Sequence, residues 1–476
     1  MADGPAATDR ARRKPAAVQV VGFDERGRPM GRLLPPLEAD VRPVILDAGS
    51  PGDVVDADLL RKRRGVWEAR RVSTLQLGPA HVQAPCAHFG VCGGCRWQET
   101  AYAGQLAAKA AGIEAILRGA GLAPQKLHSI PAPASERYRN RMEFSFGATR
   151  WVSGDEPDGV DRTFALGMHP AGRFDRVLDI NACLLAFPET DALLAATRAA
   201  ARAHQASAHD SLPHRGLLRM LLLRKGVNTG EILLELVSDG SDDARAERVA
   251  QSVAQECPWV STMTHVVHQG MNDAVGADAR RTVLLGTGVI SEVVAGVRFR
   301  IQPRSFFQTN TAQAEVLARL VVTAAQEVNA QHVQDWCCGA GFFALVLAKA
   351  GVPRVLGIEI SAGAVEDARV NALANALPAE FVAGDIAVVS TSCATAVDML
   401  VLDPPRAGLP PAALEAACNS AARRLVYVAC DLRASIGQIK TLVARGWQLT
   451  RVTLLDQFPH TPHTEVVLVL DRAPRD

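Results

Sequence analysis

This 476-residue chain lacks the features that would place it in a membrane, a secretory route or a fibrous class. Its longest uncharged apolar stretch, Trp336–Ala348, has 13 residues, whereas a spanning helix needs about 20, so no transmembrane segment is expected. Residues 1–20 hold Arg10, Arg12, Arg13 and Lys14 with no apolar core behind them. A secretory signal needs that core, so the expectation is a cytoplasmic location and no membrane partner. Charge of one sign is also missing. The 51 Lys and Arg stand against 50 Asp and Glu, so nothing pulls the whole chain toward an anionic partner, and any nucleic-acid surface has to be local. Ten cysteines are too few for a disulfide scaffold, and close spacing among them points instead to metal binding or catalysis. No repeat of solenoid period is found, and no obligate protein partner is evident.

What is present is an ordinary globular composition, 48% hydrophobic and 21% charged, in a length that suggests about three domains at roughly 100–200 residues each. Residues 1–15, rich in Ala, Pro, Asp and Arg, read as a disordered tail. Across 16–78, short β-rich runs (Val18–Phe23, Val41–Leu46, Asp53–Leu60, Trp67–Leu75) alternate with Gly/Pro/Asp turns, which suggests a small barrel of OB type. Arg61-Lys62-Arg63-Arg64, followed by Trp67, Arg70 and Arg71, gives it a local basic patch suited to nucleic acid. Residues 79–295 read as a central α+β domain, with a helix over 100–121 that could pack on the catalytic domain, and another over Asp191–Ala208. Over 296–476 the rhythm turns to strand–helix–strand, with strands at Val333–Trp336, Val355–Glu359, Met399–Leu402, Leu425–Val428 and Val466–Leu470. Repeated β-α units predict a Rossmann-like, doubly wound sheet.

Five constellations carry chemistry. Cys86-x5-Cys92-x2-Cys95, with Gly93-Gly94 inside it, has metal-ligand spacing, and Cys183 is the candidate fourth ligand. Four thiolates suit either zinc or a [4Fe–4S] cluster, and spacing does not separate the two. Next, Asp335-Trp336-Cys337-Cys338-Gly339-Ala340-Gly341-Phe342 places a Gly-x-Gly turn between a strand and a helix, and Glu359 follows Gly339 by 20 residues. Small residues let a nucleoside approach the backbone, and a carboxylate at the next strand end can hold ribose hydroxyls. A third glycine of the dinucleotide pattern is missing, which favours S-adenosylmethionine over a nicotinamide, with Asp385 in position to meet adenine. Third, Asp403-Pro404-Pro405-Arg406 ends the fourth strand and directs Asp403 at that ligand. Fourth, Cys430 ends the fifth strand on the same rim, where a thiol can act as a nucleophile. Last, Phe458-Pro459-His460-Thr461-Pro462-His463-Thr464-Glu465 offers two imidazoles and a carboxylate near it.

Together with Ser305-Phe306-Phe307-Gln308-Thr309-Asn310, these motifs resemble the RNA 5-methyluridine methyltransferases, in particular the iron–sulfur-containing 23S rRNA type, over almost the whole chain. The resemblance implies a TRAM-like barrel and a [4Fe–4S] cluster on Cys86, Cys92, Cys95 and Cys183. It also implies S-adenosylmethionine held by Gln308, Glu359 and Asp403, with Cys430 as nucleophile and Glu465 as base. Cys337, Gly339, Phe342 and Asp385 complete the expected cofactor contacts. The implied activity is methylation of uridine C5 in RNA, expected to be 23S rRNA, through a covalent Cys–C6 adduct. A tRNA substrate, or a non-catalytic RNA-binding or assembly role, is the alternative. The chain departs from the family after the nucleophile, where Asp431-Leu432 replaces Asn-Pro, and an aspartate facing the sulfur would raise the thiol pKa. It also has Cys337 and Phe342 where the family often has an aromatic and an Asn.

Overall fold

A computed structural model of the chain describes residues 14–35, 42–122, 126–153, 156–157, 159–271, 275–276, 279–393 and 397–472. It divides into two compact units. One gathers the described residues up to Gly112 with Phe458–Pro462, and the other gathers Ile113–Gln457 with His463 onward.

In the first unit, Lys14–Phe23, Pro29–Leu33, Val44–Leu46, Val66–Gln76 and Val54–Arg63 close, in that spatial order, into a five-stranded barrel. Alternation fills its interior: Val18, Val20, Val55, Ala57 and Leu59 point inward and are buried, while the residues between them are more exposed. Most of the expected tail, residues 1–13, lies outside the described residues, but Lys14 and Pro15 already belong to the first strand. The strand Pro29–Leu33 was not read from the sequence; its Pro29, Gly31 and Arg32 blur the β signal. Arg64 and Gly65, both at positive φ, make the tight turn joining the last two strands, so Arg61–Arg64 runs to an exposed hairpin tip.

The second unit holds two large sheets. The first orders Arg281–Leu285, Thr262–Val267, Ile232–Ser238, Leu218–Lys225, Arg141–Gly147, Ala165–Met168, Val177–Asp179 and Arg150–Trp151. Its helices are Thr190–Ala203 and Asp243–Glu256. Sequence pattern gave only one helix for the region; the second is mostly polar and starts on an Asp242 cap to the Arg245 N–H.

The other sheet orders Ala379–Ala383, Arg354–Glu359, His332–Trp336, Met399–Leu402, Arg424–Ala429, Glu465–Arg472, Trp447–Leu455 and Leu127–Ile130. The first five strands are parallel. Glu465–Arg472 then runs antiparallel to both its neighbours. Strand order reverses between His332–Trp336 and Met399–Leu402, and ligands of open α/β sheets bind beyond the carboxyl ends at such a switch point. Helices cover both faces. Ala344, Leu345, Val346 and Leu347 pack with Val333, Met399 and Val401 on one, and Ala413, Ala417, Leu432 and Ile439 with Leu400, Leu402 and Tyr427 on the other. Ile113 and Leu117, from the helix Tyr102–Gly119, join the second of these cores. Among the described residues no helix is long and apolar enough to cross a membrane.

Candidate active site

The strand His332–Trp336 ends in a turn whose Cys337, Gly339 and Gly341 take positive φ of 65°, 53° and 86°. At Gly341 the requirement is steric as well, because a Cβ there would meet the Phe381 ring at 3.0 Å. The turn is pinned by carboxylates. Glu359 accepts the Gly339 N–H at 3.1 Å and the Ser361 N–H at 2.9 Å. Asp335, fully buried, accepts the Ala344 N–H at 2.9 Å in the first turn of the helix Phe342–Lys349. Burial, with Asp403 and Glu359 nearby, raises its pKa well above the usual range.

Beside this turn, the Asp403 N–H donates to the Trp336 carbonyl at 3.3 Å. Burial pushes the Asp403 carboxyl up to about 7. Gln438 clamps the following loop, accepting from the Leu409 N–H at 3.0 Å and the Tyr427 hydroxyl at 2.9 Å and donating to the Leu409 carbonyl at 2.9 Å. Cys430 leaves the next strand at the same end. Register then brings in Glu465: Ala429 pairs with Val466 and Leu455 with Glu465, so the antiparallel strand starts where its parallel neighbour stops.

Glu465 is buried, and that burial, reinforced by Asp403, raises its pKa well above the carboxylate range. The Cys430 thiol is raised by burial and by Glu465 and Asp403, while Arg406, within hydrogen-bonding reach, counteracts the rise. Arg406 was not among the expected site residues. Its signal lies in the Asp403-Pro404-Pro405-Arg406 motif, in which the aspartate is the more evident ligand-facing group. Asp431 does not face the sulfur as the departure from Asn-Pro suggested it could: its carboxylate caps the helix Leu432–Ala444 by accepting the Ala434 N–H at 3.2 Å.

Gln308, also buried, accepts from Gln457 Nε2 at 2.7 Å, and Gln457 follows Leu455 by two residues. The segment is continuous with the helix Thr311–Glu327, which Asn310 caps. Other expected positions are engaged locally. Phe342 packs in an aromatic cluster with Phe299, Phe307 and Phe343 at centroid distances of 5.7, 5.8 and 5.0 Å. Asp385 is exposed and accepts the Ala387 N–H at 2.8 Å, next to a Gly384 whose N–H reaches the Glu359 carbonyl at 2.9 Å. Burial drives the Cys337 thiol up to about 12 and also raises that of Cys338 well above its ordinary value, so neither is a ready thiolate. His460 is buried, and its backbone N–H and ring are both engaged by Gln105, so it serves the first unit's packing rather than offering an open imidazole.

Cys86, Cys92 and Cys95 belong to the first unit, where the Gly94 N–H points at Cys92 Sγ at 3.4 Å; Cys183 belongs to the second. Among the described residues no group of three or more His, Cys, Asp or Glu is gathered to hold a metal ion. The expected four-thiolate centre therefore rests on sequence spacing.

Residues 310–461 match the family called Methyltransferase small domain. A protein of Porphyromonas gingivalis strain W83 named "uncharacterized RNA methyltransferase" is 33% identical over 443 residues, covering 89% of this chain and 94% of that one. One of the same name from Clostridium tetani is 33% identical over 434 residues, covering 90% and 92%. The chain belongs to this RNA methyltransferase family. Its fold matches the crystal structure of Pyrococcus abyssi tRNA (uracil-54, C5)-methyltransferase in complex with S-adenosyl-L-homocysteine, with a TM-score of 0.74, 24% identity, and 95% and 99% of the two chains covered. As an RNA methyltransferase, the enzyme needs a methyl-donor pocket, and the rim at the carboxyl ends of the parallel strands, from Glu359 to Glu465, is the candidate for it.

Proposed function

We propose that the enzyme methylates C5 of a uridine in RNA, with S-adenosylmethionine as donor and Cys430 as covalent nucleophile. The observation that carries this reading is the pairing, by strand register, of a thiol and a raised-pKa carboxyl at one rim. Methyl transfer to an exocyclic nitrogen requires the Asp-Pro-Pro loop but neither of those two groups.

The donor set suits the cofactor. Asp403 and Glu359 raise the pKa of Asp335, and Asp403 raises that of Glu465, so a cationic ligand bound beside them would favour their ionised forms. Bound there, S-adenosylmethionine supplies an electrophilic methyl group. Glu359 would hold the ribose hydroxyls, Asp385 the adenine edge, and Gln308 and Asp403 the remainder, over the Gly339 turn. Cys430 thiolate would add to uracil C6, placing electron density on C5, which attacks the methyl carbon as the methyl–sulfur bond breaks and S-adenosylhomocysteine leaves. Glu465 would then take the C5 proton, and elimination across C5–C6 would release the cysteine; a pKa raised by burial makes its carboxylate a stronger base toward that proton. The target base leaves its stack first, at a cost of a few kcal/mol.

Cys430→Ala should abolish methylation while S-adenosylmethionine still binds. Glu465→Gln should stop after methyl transfer, so a methylated RNA–protein adduct survives a denaturing gel. Sustained turnover by Cys430→Ala would sink the reading. For the substrate, 23S rRNA is proposed on the resemblance of the cysteine-bearing chain to the rRNA type, and tRNA is the competing reading on the name of the structural neighbour. Mapping uridine methylation in rRNA and tRNA of cells lacking the protein separates them. A [4Fe–4S] centre on Cys86, Cys92, Cys95 and Cys183 is proposed on the family resemblance, the spacing alone suiting zinc as well, and no step of the reaction passes through it. Iron and sulfide analysis of anaerobically purified protein tests it, and zinc without iron would replace it.

A further inference from the structure

The loop 456–464 joins the strands Trp447–Leu455 and Glu465–Arg472, and Glu465 is the end rung of their ladder, opposite Leu455. At the middle of that loop, His460 takes a φ of 64°, a left-handed conformation that a residue other than glycine keeps where its surroundings over-determine it. The surroundings of His460 meet that condition. Its N–H donates to Gln105 Oε1 at 2.8 Å, its ring Nδ1 meets Gln105 Nε2 at 3.1 Å, and its carbonyl accepts the Arg96 and Trp97 N–H groups at 3.0 and 3.2 Å. Gln105 is 0% exposed, and backbone groups fix its sense: its oxygen takes the His460 N–H, while its nitrogen donates to the Trp97 and Thr100 carbonyls at 3.0 and 2.8 Å. One turn further along the helix Tyr102–Gly119, Lys109 Nζ donates to the Phe458 carbonyl at 2.9 Å, which the Thr461 hydroxyl also reaches at 2.8 Å. Pro462 fills the space that a side chain at Gly27 would need. Trp97, stacked on Phe23 at 4.4 Å, donates its indole N–H to the Gly27 carbonyl at 2.8 Å.

Phe458, His460, Thr461 and Pro462 are thus all held, and only His463 and Thr464 separate them from Glu465. The end of a ladder opens first unless the chain beyond it is tied, and a carboxylate that must meet one carbon-bound proton tolerates little displacement. We infer that Gln105 and Lys109 are positioning residues for proton removal: by holding Phe458–Pro462 in its left-handed turn they set where Glu465 stands. The inference rests on the reading that Glu465 is the base, and goes further in naming the side chains that place it. The step they serve is the last one. Glu465 takes the C5 proton, the C5–H electron pair forms the C5–C6 double bond, and the C6–S bond breaks to return Cys430 as thiolate. Cofactor binding, thiol addition and methyl transfer all precede it and make no demand on these two side chains.

Full-length enzyme tests it, with total RNA from cells lacking the protein that carries either hydrogen or deuterium at uridine C5. Gln105→Met keeps the bulk of the side chain and loses its hydrogen bonds, and Lys109→Met does the same at Phe458. Each should slow turnover by about 10- to 100-fold, the scale of a displacement of about 1 Å, with S-adenosylhomocysteine affinity unchanged. Two readouts separate positioning from general loosening. The methylated RNA–protein adduct should accumulate on denaturing gels, as expected of Glu465→Gln, and the deuterium isotope effect on turnover should exceed the wild-type value. A partly unfolded enzyme slows every step alike and leaves both readouts at wild-type levels. Lys109→Met carries the test where Gln105→Met fails to fold. Slowed turnover with a wild-type adduct level and isotope effect, or wild-type turnover in both variants, would overturn the positioning role while leaving Glu465 as the base. Absence of adduct from Glu465→Gln would instead remove the base assignment, and the inference with it.

Discussion

Asp403 and Arg406 sit three residues apart and act on the Cys430 thiol in opposite senses: the carboxylate raises its pKa and the guanidinium lowers it. Removing the cation with Arg406→Ala leaves less thiolate at any given pH, so the rise of methylation rate with pH should move toward alkali. A pH–rate profile superimposable on wild type would show that Arg406 does not support the thiolate. Asp403 also links the site to stability. Its carboxyl goes from an ordinary 3.8 to about 7 on folding, so the native state holds this proton more tightly than the unfolded chain does. The stabilisation is full below about pH 4 and is lost as pH rises through about 7. Asp403→Asn, permanently neutral, should therefore lose less melting temperature than wild type between about pH 5 and pH 8. Parallel melting curves for the two proteins, without ligand, would refute that assignment.

Helix starts are the element-scale devices of the site. Asn310, Ser361 and Asp431 each cap a helix with a side-chain oxygen, and Asp335 reaches from a strand to do the same work at Ala344. The helix Phe342–Lys349 starts at a left-handed Gly341, where alanine adds about 1–2 kcal/mol of backbone strain and crowds Phe381 at 3.0 Å. Gly341→Ala should lower stability by about that amount or more in denaturant melts and weaken S-adenosylhomocysteine binding. Wild-type values for both would mean that the turn relaxes freely. This turn was legible in the sequence because Gly-x-Gly between an apolar run and a helix has few other uses. So were the parallel strands, which are buried on both faces and read as continuous apolar runs. Trp447–Leu455 was not, since Gln448, Thr450 and Arg451 interrupt its pattern, and Leu127–Ile130 has only four residues at a sheet edge. Gln457 and Asn140 escaped for a different reason. A buried amide matters through its partner, and Gln308 lies 149 residues from the one and 168 from the other, which leaves no local spacing to read.

At the scale of the whole molecule, a net charge of +1 leaves RNA attraction to local patches. Arg61–Arg64 at the barrel hairpin is one of them, although Arg61 is engaged by Glu68 at 2.5 Å and Lys62 lies over the Trp67 ring at 4.5 Å. Replacing all four with alanine should weaken RNA binding and flatten its salt dependence by roughly 0.7–0.9 for each phosphate no longer neutralised. An unchanged slope would make the run a solvated face. The spacing of the proposed nucleophile and base has a different origin, because both stand at strand ends. Cys430 and Glu465 stand at the ends of hydrogen-bonded neighbours whose pairing continues from Ala429–Val466 to Arg424–Asp471. A slip of one residue would turn Glu465 to the other face together with every apolar side chain behind it. The interval between Cys430 and Glu465 is thus written in the ladder, and its tolerance to heat is the tolerance of the sheet. Catalytic competence should persist undiminished up to the temperature at which the central strands part, and then vanish with them in a single step.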